Sequence, residues 1–241
     1  MMERVTFNGI CLSDFYQVLD ATRPATGRSN STTDVAGMDG SMFTGTRLLP
    51  STLTVSLLMK DMCAEERRDA LRNIAGMIAV DKPAKLMYGS DNGLYYMAMP
   101  DGEVPLKEYP RGGVVSINFV AMDPFLHGED CVVVVPSGGS ATFYVGGTYR
   151  TALKISGTVN GNESNLWGLR IDDGDYIRVN TGSTEGRTVS IDCGERVAVV
   201  NGTTVLPTLD SDWLVPRPGT HVLANDIGSG ECTVEWQETW L

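Results

Sequence analysis

The acidic turn Asp172-Asp173-Gly174-Asp175 is the best candidate for metal chemistry in this sequence. Three carboxylates on one turn offer the hard oxygen ligands that calcium prefers in proteins. The spacing of a calcium-binding loop and its distal glutamate are both missing, so the same residues also fit a hairpin turn with solvated acids. We expect the plain turn, with no metal and no cofactor.

Residues that could catalyse a reaction are few. The sequence has two histidines, His127 and His221, and neither lies in a recognisable motif. It lacks the nucleophile elbow, the phosphate-binding loop and the zinc-binding His-Glu-X-X-His helix. A carboxylate pair for glycoside hydrolysis cannot be recognised from sequence, because its separation in space is what matters. We predict that the protein is not an enzyme.

The tryptophans offer a possible binding surface. All four lie in the second half of the chain: Trp167, Trp213, Trp236 and Trp240. An aromatic ring on a β-sandwich can stack on a sugar, although tryptophans more often fill cores or interfaces. Both alternatives stay open. Trp213 and Trp240 are the candidate contacts for a partner protein or a glycan.

Net charge and cysteine spacing argue against several classes of protein and of structural site. The formal net charge of −11 argues against a nucleic-acid binder, which would carry a clustered basic stripe. The five cysteines are odd in number and far apart, so they predict neither a zinc site nor a disulfide framework. We expect them to be reduced and mostly buried.

The sequence also lacks a signal peptide and a membrane-spanning run, which predicts assembly in a cytoplasm and no membrane insertion.

The elements of the first half follow from hydrophobic periodicity. In the run Gly112 to Gly128, Val115, Ile117 and Phe119 alternate with polar or small residues, which predicts a strand with one buried face. Asp123-Pro124 then stops the strand, because proline cannot donate to a sheet ladder. We interpret Asp123, Pro124 and Phe125 as an interdomain corner.

One helix and one long polar segment precede that strand. The helix is predicted to be capped by Asp61, to run for roughly 18 residues and to end at Pro83. From Ala21 to Gly45 the sequence has almost no periodicity, which is long for a loop inside a compact domain. Such a segment is either disordered or ordered by a neighbouring molecule.

The second half of the chain differs from the first, because its sequence predicts short strands at close intervals separated by turns. Glycine-containing turns at Asp173-Gly174, Cys193-Gly194 and Asn201-Gly202 separate several of the strands. The pattern predicts an antiparallel sandwich. Ten strands are expected, at residues 131–135, 142–145, 152–156, 166–171, 176–180, 188–192, 196–200, 203–206, 221–225 and 232–237.

Several short motifs also occur in a definite order along the chain. They are Phe7-Asn-Gly-Ile, Leu12-Ser-Asp-Phe, Ala36-Gly-Met-Asp-Gly-Ser, Asp123-Pro-Phe, Asp173-Gly-Asp-Tyr-Ile-Arg-Val, Val199-Val-Asn-Gly, Leu209-Asp-Ser-Asp-Trp-Leu, Pro218-Gly219 and Thr233-Val-Glu-Trp. Their order resembles the distal tail proteins of long-tailed, non-contractile bacteriophages, including prophages. One departure is the segment from Gly147, which lacks a proline that often precedes the next strand in that family.

The resemblance implies a mainly β fold in two domains. Residues 1–128 would form a ring-forming, β-sandwich-like N-terminal domain with one packed α-helix and a hairpin or arm. Residues 129–241 would form a galectin-like antiparallel β-sandwich. The segment from Ala21 to Gly45 would be an arm ordered by a neighbouring subunit. Within it, Gly37, Met38, Asp39, Gly40 and Ser41 are the expected subunit interface, with a merely exposed loop as the alternative.

The resemblance also implies a role in the virion. Six copies would form a ring at the tail tip, joining the tail tube protein to the tail-associated tip protein and to receptor-binding or baseplate proteins. The genome would pass through the channel without specific binding of DNA, and net acidity suits such a wall because like charges repel. The alternative function is a carbohydrate-binding module that recognises a host surface polysaccharide.

Overall fold

The computed structural model describes residues 3–172 and 174–241, and their fold is mainly β. The chain divides into two compact units, the first reaching His127 and the second running from Gly128 to Trp240. Among the described residues, no helix is both long enough and apolar enough to cross a membrane.

The first unit contains ten strands and one α-helix among its described residues. The helix, α1, is Ala64–Ile78. The strands are β1 (Val5–Phe7), β2 (Ile10–Cys11), β3 (Gln17–Thr22), β4 (Arg28–Asp34), β5 (Ser41–Leu48), β6 (Ser51–Lys60), β7 (Ala84–Tyr88), β8 (Tyr95–Pro100), β9 (Leu106–Tyr109) and β10 (Gly112–Ala121).

Strand β10 is the centre of the first unit. It pairs with β6 along its full length, from Gly112 opposite Lys60 to Ala121 opposite Ser51, and also pairs with β8 and β9. Its alternating residues Val115, Ile117 and Phe119 are fully buried, as the period of two predicts. Burying an aliphatic or aromatic side chain contributes about 1.5–3 kcal/mol, so this pair of long strands carries much of the core.

Helix α1 packs on that core, although two of its predicted features were wrong. It is capped by Cys63 rather than Asp61, and it ends at Ile78, five residues before Pro83. Asp61 instead adopts a left-handed conformation and donates its backbone N–H to the carbonyl of Arg111. Ile74 and Ile78 of the helix are buried in the core of the first unit.

The second unit contains the remaining strands, in two antiparallel sheets. They are β11 (Leu126–Val135), β12 (Ser140–Val145), β13 (Lys154–Asn160), β14 (Leu166–Ile171), β15 (Tyr176–Asn180), β16 (Arg187–Asp192), β17 (Val197–Val200), β18 (Thr203–Val205), β19 (Gly219–Ile227) and β20 (Ser229–Trp240). One sheet has the order β18-β17-β16-β13-β20-β11 and the other β12-β19-β14-β15. A continuous cluster of buried side chains from both sheets includes Trp167, which is fully buried.

All ten strands predicted for the second half are present, with boundaries that differ by a few residues. Two short elements of the first half were missed, β3 and β9, because neither alternates cleanly. The segment from Ala21 to Gly45, in which hydropathy showed almost no period, contains β4 and the first part of β5, which pair as a hairpin. Of the five cysteines, all of them free, only Cys193 and Cys232 are buried, so the expectation of mostly buried thiols was wrong.

Candidate functional site

The β4–β5 hairpin stands apart from the larger sheets and forms what we call the arm, residues 28–48. Its two strands pair only with each other among the described residues, from Arg28 opposite Leu48 to Asp34 opposite Ser41. A hydrogen bond of 2.9 Å from the Leu49 N–H to the Gly27 carbonyl closes its base. Most arm residues are exposed on both faces.

The arm exposes large apolar side chains to solvent. Val35 and Met38 lie in its turn, and Met42 and Phe43 lie on β5, with exposures of 43%, 51%, 49% and 62%. An isolated two-stranded hairpin is marginally stable in water. Exposed apolar side chains on such a hairpin mark a surface that gains stability when it is covered.

The predicted interface residues Gly37 to Ser41 lie together at the tip of the arm. Gly37 and Gly40 have φ values of +82° and +83°, a conformation that favours glycine over any residue with a Cβ atom. The Ser41 hydroxyl donates a hydrogen bond of 2.5 Å to Asp34 Oδ1 across the turn. The tip is therefore a defined turn that presents Met38 and Asp39 outward.

A second apolar surface, missed in the sequence, lies at strand β3. This strand pairs with β6 on one side and is the last strand of its sheet path on the other. Phe15, just before it, is 58% exposed, and Leu19 is 48% exposed at a register shift between Val18 and Asp20. The sign of this surface in the sequence was the pair of apolar residues Phe15 and Leu19, which lie in a segment without a regular hydrophobic period.

The predicted corner residues lie between β10 and β11. Asp123 accepts a hydrogen bond of 3.3 Å from the Phe125 N–H, and its other carboxylate oxygen lies 3.0 Å from His127 Nε2. The His127 ring also lies against the Tyr95 ring, with 5.7 Å between centroids. The aspartate side chain thus fixes the turn around Pro124.

Asp172, the first residue of the acidic turn, contacts a histidine side chain. Asp172 Oδ2 lies 2.8 Å from His221 Nδ1, and Asp172 Oδ1 accepts the Val222 N–H at 2.9 Å. These hydrogen bonds, the one from His221 first, lower the pKa of Asp172 below its usual range. Asp173 lies outside the described residues. Within the part of the chain that is described, no cluster of three acidic, histidine or cysteine residues is arranged to hold a metal ion.

The two candidate tryptophans do not form a fully exposed platform. Trp213 is partly buried and packs against the core of the second unit. Trp240, at the end of β20, is also partly buried, and a Cβ atom at Gly128 would lie 2.6 Å from its ring. Their role in contacting a partner or a glycan stays a prediction.

Comparison with known proteins adds family information to this geometry. The chain matches the model of the phage tail protein RIFT-related domain over residues 11–121. It also matches the C-terminal domain of siphovirus-type tail components over residues 146–240. The two matches together span most of the chain, in the order of the two units.

Whole proteins with similar sequence and fold come from phages. The distal tail protein of Bacillus phage SPP1 is 23% identical over 198 residues, which cover 76% of this chain and 75% of that protein. The crystal structure of the SPP1 Dit protein, described as a hub adsorption apparatus, matches with a TM-score of 0.79 and 18% identity over the whole of both chains. A chain of the phage P2 baseplate matches with a TM-score of 0.49 and 8% identity, covering 99% of this chain and 98% of that one.

Proposed function

Because the chain belongs to the distal tail protein family of long-tailed, non-contractile bacteriophages, we propose that six copies form a closed ring at the tail tip. As a structural component of a phage tail or baseplate, the protein acts by assembly, and the proposed role requires no catalysis. The residues that carry this role are the surfaces that join one copy to the next.

The observation that carries the proposal is the exposed arm. Val35, Met38, Met42 and Phe43 leave large apolar areas in water on a hairpin of only two strands. Full burial of such a side chain from water contributes about 1.5–3 kcal/mol, and since these side chains are already about half buried, covering the rest contributes roughly half of that for each. Covering the arm with a neighbouring subunit would supply that burial and order the hairpin, with Gly37 to Ser41 at the contact.

A ring needs two different surfaces on each copy, because its interfaces are head to tail. The arm supplies one of them. The edge of β3, with Phe15 and Leu19 exposed, is the other surface that we assign to the same unit. An unpaired strand edge also offers backbone N–H and C=O groups to a neighbour's strand. The arm of one copy would therefore lie against the β3 edge of the next.

The remaining parts of the role follow from this arrangement. Residues 1–128 would form the ring, and residues 129–241, a galectin-like sandwich, would project from it. Asp123, Pro124 and Phe125 would form the corner between the two domains. The ring would join the tail tube protein to the tip protein and to receptor-binding or baseplate proteins. It would be assembled in the bacterial cytoplasm and leave a channel for the genome.

The test is the mass of the assembly in solution. The double substitution Met42→Ser and Phe43→Ser removes apolar contact area from side chains that are about half exposed or more in the single chain. We expect the unsubstituted chain to form hexamers and the double variant to remain monomeric but folded, with an unchanged far-UV circular dichroism spectrum. The matched control is Val132→Ser, an equally exposed apolar residue on β11, outside the arm.

Two results would contradict the proposal. A double variant that forms hexamers as readily as the Val132→Ser control would show that the arm makes no ring contact. An unsubstituted chain that stays monomeric at high concentration would contradict the ring itself.

A further inference from the structure

The loop between β18 and β19 carries two leucines whose side chains are almost fully exposed to solvent. Leu206 is 89% exposed and Leu209 is fully exposed, more than any other large apolar side chain of the described residues. They are three residues apart, so their Cα atoms lie within about 11 Å of each other. We call residues 206–212 the leucine loop.

The backbone of the leucine loop is held against the edge of β15. The Thr208 N–H donates to the Arg178 carbonyl at 2.9 Å, and the Asp212 N–H donates to the Tyr176 carbonyl at 2.8 Å. In return, the Arg178 N–H donates to Ser211 Oγ at 2.9 Å. These three hydrogen bonds fix the loop along the outer edge of β15.

Side chains fix the loop as well. Tyr176 donates its hydroxyl to Asp210 Oδ2 at 2.7 Å, and Arg178 lies over the Tyr176 ring, 3.9 Å from its centroid. Arg178 also pairs with Asp226, with 2.5 Å between Nε and Oδ2. A loop held by so many contacts loses little conformational entropy on binding. Its exposed leucines are thus preorganised for a partner.

The charge around the two leucines indicates what that partner is. The leucine loop itself includes Asp210 and Asp212 and no lysine or arginine. Arg178 faces two carboxylates, Asp210 and Asp226, so the neighbourhood stays negative. A second copy of the chain would bring like charges together. The complementary surface is an apolar socket with lysine or arginine at its rim, on a different protein.

We propose that the leucine loop is the docking site of a separate virion protein with such a basic-rimmed apolar socket. Two leucines cover far less than the roughly 800 Å² per partner of a stable interface. A single contact is therefore weak, whereas copies arranged around a ring bind a multivalent partner together. This inference rests on the proposed tail role, because the ring supplies the multiple copies.

The test is site-specific photo-crosslinking in intact tails. A benzoylphenylalanine residue replaces Leu209 in the phage that encodes the chain, and a control particle carries it at Val132, another exposed apolar position. After irradiation, the crosslinked peptides are identified by mass spectrometry. We expect position 209 to crosslink to a different virion protein, at a peptide with apolar and basic residues, at least tenfold more than position 132.

A second variant checks the charge of the site. Asp212→Lys, at an exposed side chain, is expected to reduce the crosslink from position 209 at least threefold without changing the yield of folded chain. Crosslinks only to another copy of this chain, or equal yields at positions 209 and 132, would overturn the docking site while leaving the tail role intact. Absence of the chain from purified tails would overturn both proposals.

Discussion

Asp172 shows how a single carboxylate stabilises a turn that resembles a metal-binding site. Its two oxygens are occupied by the His221 ring and the Val222 N–H, so they are used for hydrogen bonds inside the second unit. From the sequence, the acids of this turn were visible, but His221 is 49 residues away, and no local pattern connects the two.

The substitution Asp172→Asn is expected to lower the stability of the second unit at neutral pH. Asparagine can still accept the Val222 N–H, but it loses the charge that faces His221. Since Asp172 is about half exposed, we discount the effect to about 1 kcal/mol. That corresponds to a fall of about 2–4 °C in the unfolding temperature.

The effect has a definite pH dependence. The pKa of Asp172 is lowered in the folded protein, so its contribution is fully present above the ordinary aspartate pKa of about 3.9 and is lost as pH falls further. Thermal unfolding from pH 7 to pH 3 should show the difference from the unsubstituted chain shrinking at the acid end. Asp175→Asn, in the same turn, is the control. A difference that grows with acidification would contradict this assignment.

Gly147 provides a second prediction at the scale of single residues. It has a φ of +89°, and a Cβ atom there would lie 2.2 Å from the Thr239 carbonyl oxygen. Gly147→Ala is therefore expected to destabilise the protein by about 1–3 kcal/mol, measured by urea unfolding. Gly138→Ala is the control, because Gly138 has a φ of +64° but open space around its Cβ position. Equal costs at the two positions would show that the close approach of Thr239 is unimportant.

At the scale of elements, the arm behaves differently from the strands of the core. The core strands β6 and β10 alternate buried residues with residues that are less buried, and the hydrophobic alternation that produces this pattern made them predictable. The arm has two exposed faces, so its sequence carries no period, and hydropathy alone predicted no strand there. Its pairing is set by cross-strand hydrogen bonds and by the glycines of its turn, which leave little trace in hydropathy.

Limited trypsin digestion should report whether the arm is covered. Arg28 and Arg47 lie at exposed positions on β4 and β5 of the single chain. We expect both sites to be cut rapidly in the monomeric Met42→Ser/Phe43→Ser variant and slowly in the assembled, unsubstituted chain. Arg196, exposed at a turn of the second unit, is the control for general access to the protease. Equal cleavage of the arm in both proteins would mean that assembly leaves it uncovered.

At the scale of the whole molecule, the strands of the second unit could be predicted from the sequence better than the surfaces that we propose for assembly. The sandwich of the second unit could be read from its turns and short strands. The surfaces that we propose at the β3 edge and the leucine loop could not, because they are defined by exposed residues such as Phe15, Leu19 and Leu209, and exposure depends on tertiary structure. The family resemblance indicated an assembly role that neither periodicity nor composition contains.

Electron microscopy of the purified chain in negative stain is the sharpest test of whether the protein forms a ring. We expect closed rings with six-fold symmetry and an open centre, with a solution mass six times the 26.0 kDa of one chain. Isolated single chains, two-fold dimers or open filaments would contradict it.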